Sequence, residues 1–100
     1  AWDISTASFT QSFSVATQET APYGLFFRPT GTTMFVIGIV GDDVNEYSLS
    51  TPWDVSTASY VQNFSVQTQD DQPQGVAFKN DGTKMYVVGS QRDGILSYDL

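Results

Sequence analysis

"FKNDGTKMYVVG", residues 78–89, reads as the end of one strand, a tight turn and a second strand. Asn80-Asp81-Gly82 is turn chemistry, with Gly82 free to take a positive φ. "FRPTGTTMFVIG", residues 27–38, is almost the same sentence placed 51 positions earlier. The match extends in both directions. "WDISTASFTQSFSVATQ" from Trp2 falls on "WDVSTASYVQNFSVQTQ" from Trp53, and Pro22, Gly24, Met34, Gly38, Tyr47 and Leu49 fall on Pro73, Gly75, Met85, Gly89, Tyr98 and Leu100 without a gap. About half of the aligned positions are identical. A period of this size marks solenoids, propellers or arrays. The chain divides into repeats at 1–51 and 52–100.

Each repeat reads as four strands with no helical periodicity. In the first, residues 9–15 alternate, with Phe9, Gln11, Phe13 and Val15 on one face. Residues 24–28 and 34–39 are apolar on both faces, and 44–49 are mixed. The second repeat places the same strands at 60–66, 75–79, 85–90 and 95–100. Strands apolar on both faces need cover on both sides. With no helices to provide it, other sheets must. Radial stacking of four-stranded antiparallel sheets does so in a β-propeller, and the expected fold is all-β with eight strands in two such blades.

"GVAFKNDGTKMYVVG…DGILSYDL" resembles the blade repeats of WD-repeat and YVTN-type propellers. Asn80-Asp81-Gly82 matches their turn, and Tyr98-Asp99-Leu100 matches their aromatic-Asp-Leu ending. Pro29-Thr30-Gly31 and Tyr47-Ser48-Leu49 match less closely. Trp2-Asp3 and Trp53-Asp54 follow the third strand instead of ending it, and the Gly-His signature of WD repeats is absent. In propeller order the chain is written outermost strand first: D-A-B-C, D-A-B-C. The strand at 60–66 then completes the blade of 24–49. The strand at 9–15 has no partner, and the blade of 75–100 lacks its fourth strand.

The unpaired strand and the incomplete blade are complementary, and can meet only between chains or within a longer array of which this is a fragment. Two blades cannot close a ring and would leave open edges. Head-to-tail copies supply the missing strands. The expected seam pairs Phe9, Phe13 and Val15 of one chain with Ile95, Leu96, Tyr98 and Leu100 of the next. A symmetric ring of intact chains holds an even number of blades. Four chains are preferred to three or five, because Phe26, Phe27, Phe35, Phe78 and Tyr86 widen the wedge between blades.

Composition narrows the function. The chain has 11 acidic and 4 basic residues, a formal charge of −7, no cysteine and no histidine. Both repeats are acidic, so neither nucleic acid nor an anionic membrane surface is an expected partner. Disulfides and thiolate metal sites cannot form. Ser-His-Asp and Cys-His catalysis are impossible within this chain. No catalytic residue, metal or cofactor is expected. Ala1 fits either a processed secreted chain or a piece cut from a longer one. Low Lys and abundant Ser and Thr lean towards the extracellular side.

The resemblance places ligands on the face made by the D–A and B–C loops. Its candidates are Gln18, Glu19, Tyr23, Asp42, Asp43, Gln69, Asp70, Asp71, Gln74, Arg92 and Asp93. Amides, carboxylates and an aromatic suit a carbohydrate, and equally suit loops that only keep a ring soluble. No Asp-x-Asp-x-Asp-Gly calcium loop is present. Asp42-Asp43 and Asp70-Asp71 could pair for glycoside hydrolysis only if burial raised one pKa of each. Trp2 and Trp53 could stack a sugar each or fold back over a blade edge. Asn63-Phe64-Ser65 is an N-glycosylation sequon that the first repeat, with Ser12, does not share.

Overall fold

The computed structural model describes all 100 residues. Seven strands form two antiparallel sheets, and the only helical elements are two single 3-10 turns, Ile4–Thr6 and Val55–Thr57. The first sheet has the order β1 (Pro22–Phe27), β2 (Thr33–Gly38), β3 (Asp43–Leu49), β4 (Ala58–Ser65). The second has the order β5 (Pro73–Phe78), β6 (Lys84–Gly89), β7 (Ile95–Asp99). The strand that opens the second repeat therefore completes the sheet begun by the first. Tyr60 lies opposite Tyr47, and Phe64 opposite Val44.

Seven strands stand where eight were expected. Residues 9–15 join no ladder. A strand is held by its neighbours' backbone groups, and none is available to this segment. It still occupies the place its repeat predicts. Phe13 meets the Tyr47 ring edge-on at 5.6 Å, as Phe64 meets Tyr98 at 5.7 Å.

Two clusters make the core. One lies between the sheets, where Ile37 and Val44 from the first sheet meet Met85 and Val87 from the second, with Val66 beside them. Phe78 joins it, 4.2 Å from Phe35 and 5.4 Å from Phe26 between ring centroids. The other lies on the far face of the first sheet. Met34, Val36, Tyr47 and Leu49 are covered there by Phe13, Val15 and Phe27.

The inner strands β1 and β5 were expected to be covered on both faces, but Tyr23 and Leu25 are more than half exposed. Only one neighbouring sheet exists in the chain, and it covers one face. The same incompleteness appears at the other end. Ile37 is 0% exposed and its repeat mate Val88 44%; Val44 is 5% and Ile95 71%; Leu49 is 4% and Leu100 65%. Chemically matched positions differ in burial according to whether a further blade follows.

Candidate functional site

The D–A and B–C loops lie on one face, and buried carboxylates tie them together. The chain turns after Val15, with the Glu19 amide donating to the Val15 carbonyl at 2.8 Å. That turn points the Glu19 side chain inward. Its carboxylate accepts the backbone N–H groups of Ala21 (2.9 Å), Val40 (3.2 Å) and Gly41 (2.9 Å). Asp70 occupies the same place in the second repeat and accepts the amides of Gln72 (2.8 Å) and Arg92 (3.2 Å). Asp is one methylene shorter than Glu. Asp70 has no bond to the Gln91 amide, the mate of Val40, while the Gln91 side chain accepts the Asp71 amide at 2.9 Å.

Both carboxylates are almost wholly buried. A Cβ at Gly38 would come within 2.4 Å of the Glu19 carboxyl carbon, and one at Gly89 within 2.4 Å of that of Asp70. Only glycine leaves room for them. Gln18 and Gln69 serve the same framework, each accepting a tyrosine hydroxyl at 3.1 Å, from Tyr47 and Tyr98. Burial pushes both phenols up from their ordinary value, first among the causes.

Asp43 is buried and accepts Asn45 Nδ2 at 3.0 Å and Asn63 Nδ2 at 2.7 Å. The sequon's amide is thus engaged with a carboxylate. Asp42 is buried beside it in a left-handed conformation, φ 55, and its Oδ1 has no hydrogen-bond partner. Its own carbonyl accepts the Val66 amide at 2.9 Å. Burial pushes the Asp42 carboxyl up from its ordinary value, and Asp71, Glu19, Asp43 and Asp70 add to the rise. Asp93, its repeat mate, keeps the same backbone, φ 53, but is exposed.

The eleven candidates therefore divide. Glu19, Asp70, Gln18, Gln69 and Asp43 hold the loops together. Asp71, Arg92 and Asp93 are exposed on them, Tyr23 and Gln74 are exposed at the starts of β1 and β5, and Asp42 is buried with its Oδ1 unpartnered. Gln74 Nε2 donates to Ser90 Oγ at 3.2 Å, and Ser90 Oγ donates to Gln72 Oε1 at 2.8 Å. No group of three or more carboxylates is arranged to hold a metal ion. No helix is long and apolar enough to cross a membrane.

Sequence patterns alone did not point to the cleft between the sheets. It has a volume of about 450 Å³ and is walled by Phe35, Phe64, Phe78 and Tyr98, with Glu46 and Gln62 at its polar side. The aromatic positions were visible in the repeat, but their convergence from two blades was not. Trp53 resolves to the second of its two readings. It folds back over the β1–β2 turn, its ring 5.3 Å from Phe27. Trp2 is fully exposed.

No protein-family model matches the chain, and no curated protein matches it. Solved structures do. A 6-phosphogluconolactonase candidate from Bacteroides uniformis matches with a TM-score of 0.62 and 18% identity, over 79% of this chain and 22% of that one. The hydrazine synthase of Kuenenia stuttgartiensis matches with a TM-score of 0.63 and 22% identity, over 93% of this chain and 24% of that one. A protein of unknown function from Desulfotomaculum acetoxidans matches with a TM-score of 0.56 and 17% identity, over 79% of this chain and 26% of that one. The chain spans about a quarter of the length of these structures. At such identities the likeness speaks to fold alone. Together with the two antiparallel sheets it fits a β-propeller-like fold.

Proposed function

We propose that this chain is a non-enzymatic propeller binding module, built by head-to-tail assembly of two-blade copies into a multivalent ring. One observation carries the assembly: matched repeat positions are buried at the internal blade interface and exposed at the ends. Val88, Ile95 and Leu100 at one end and Leu25 at the other are too apolar and too exposed for a finished surface. The back of the second blade in one copy and the front of the first blade in the next are the two halves of the interface that the chain already makes once.

A closed ring of intact chains has an even blade count, and four chains are preferred. Each copy presents the same exposed groups on the loop face, Asp71, Arg92 and Asp93 with Gln74 at the start of β5, so weak sites on one face gain avidity. Clustered carboxylates, an amide and a guanidinium suit the hydroxyls of a carbohydrate. The absence of histidine and cysteine and the use of Glu19 and Asp70 as loop ties support binding over catalysis. Those same ties favour a second reading, a scaffold ring with no small-molecule ligand. Light scattering tests the assembly: the mass should be an integral multiple of the 11.0 kDa chain, and deletion of residues 1–15 should abolish it. A wild-type monomer at micromolar concentration refutes the ring. A glycan array separates the two readings, since a scaffold binds no sugar above background.

A further inference from the structure

We infer that Trp2 of one copy seats on the Gly82 turn of a second copy, as Trp53 seats on the Gly31 turn within the chain. The seat rests on the head-to-tail assembly proposed above and specifies a contact that assembly must make.

The chain contains one finished example. Gly31 lies at φ 73 in the β1–β2 turn, with its amide donating to the Arg28 carbonyl at 2.8 Å. The Trp53 indole lies against it, so close that a Cβ there would fall 2.4 Å from the ring. The Trp53 amide donates to the Gly31 carbonyl at 2.9 Å. Trp53 itself takes φ 66, a conformation that bulky side chains avoid. Behind it, Asp54 caps the next turn by accepting the Ser56 amide at 3.1 Å.

The chain also contains the two halves of a second example, kept apart. Gly82 lies at φ 76 in the β5–β6 turn, with its amide donating to the Lys79 carbonyl at 2.8 Å. Phe78 stands at the position of Phe27. Yet nothing lies within 4 Å of where a Gly82 Cβ would be, and the Gly82 carbonyl receives no backbone donor. The seat is formed and empty. Trp2 holds φ 68, with Asp3 capping the turn behind it by accepting the Ser5 amide at 3.0 Å. It keeps the strained backbone of a seated tryptophan while its side chain is wholly in solvent. Strain of this kind persists where a contact makes use of it. Its own chain offers none, and a second copy presents the matching turn.

The test compares assembly by light scattering across a dilution series. Wild type is set against Trp2→Ala and Gly82→Asn. Asn accepts the left-handed backbone, so the turn survives while its side chain fills the seat. Because Trp2 is fully exposed, its removal leaves the single chain's melting temperature unchanged. Trp53 in the finished seat keeps 58% of its surface exposed, so each variant should raise the concentration for half-assembly about threefold to tenfold, as for a partly covered aromatic contact. In a Trp53→Phe background Trp2 is the only indole, and its emission should move to shorter wavelength on assembly. If wild type assembles but both variants match it, or if Trp2 emission stays that of free indole, the seat is wrong and the ring stands. If wild type never assembles, the ring fails and the seat with it.

Discussion

The Glu19 carboxylate accepts the Gly41 amide at 2.9 Å, across 22 residues of sequence, and so joins the two loops that make one face of the molecule. Its mate Asp70 does the same for Arg92. An ionised acceptor shared among several backbone amides is a strong device, and it explains why a buried acid is tolerated at each position.

Glu19→Gln keeps the shape and one acceptor oxygen, but turns an NH2 group towards backbone donors. Hydrogen bonds to a charged group are worth about 1.5–3 kcal/mol, so a loss of about 2 kcal/mol is expected in urea unfolding. Stability equal to wild type would mean that the loops are held by packing alone.

The two turn glycines should not respond alike. Gly82→Val has open space around it and meets only the left-handed strain, about 1–2 kcal/mol. Gly31→Val meets that strain and also the Trp53 indole, and should lose measurably more in thermal unfolding of the dilute chain. Equal losses would remove Trp53 from the Gly31 turn.

Asp42 offers a pH signature. Its carboxyl is raised above the ordinary value of 3.8, chiefly by burial. The folded chain therefore binds that proton more tightly than the unfolded chain. The resulting stabilisation is complete below the unfolded value and is lost as pH rises through the raised folded value. Asp42→Asn removes this dependence and suits the left-handed backbone. The variant should be more stable than wild type at pH 7, by about 1 kcal/mol for a buried acceptor left unpaired. That advantage should shrink on acidification. Shifts of other carboxylates occur in both proteins and cancel in the difference. An advantage that does not change with pH would assign the effect to something other than this proton.

The seam register follows from the β3–β4 ladder, where Glu46 lies opposite Gln62 and Tyr47 opposite Tyr60. Carried over by one repeat to the proposed ring, it would set Ser97 of one copy opposite Gln11 of the next, and Tyr98 opposite Phe9. Gln11→Cys combined with Ser97→Cys should give disulfide-linked multimers on oxidation, whereas Gln11→Cys with Asp99→Cys, two residues out of register, should not. The chain has no native cysteine to confuse the gel. Linking by both pairs alike would indicate non-specific association.

The sequence by itself determined the strands of each blade. Their apolar faces, glycine turns and 51-residue echo are local patterns, and β1 to β7 begin within about two residues of where those patterns place them. It also indicated that the strand opening the second repeat joins the sheet begun by the first, as β4 does. The tertiary structure decided what the same residue types do in different company. Residues 9–15 and 58–65 carry nearly the same pattern, yet only the second is a strand, because only it has an open edge of the chain beside it. Glu19 and Asp70 looked like ligand groups on acidic loops until folding turned them onto backbone amides in the interior. Trp2 and Trp53 are both followed by Asp, an aliphatic residue, Ser and Thr, yet Trp53 lies on the Gly31 turn and Trp2 touches nothing. Such differences depend on contacts between residues far apart in the chain, and no local pattern encodes which of two identical surfaces will find a neighbour.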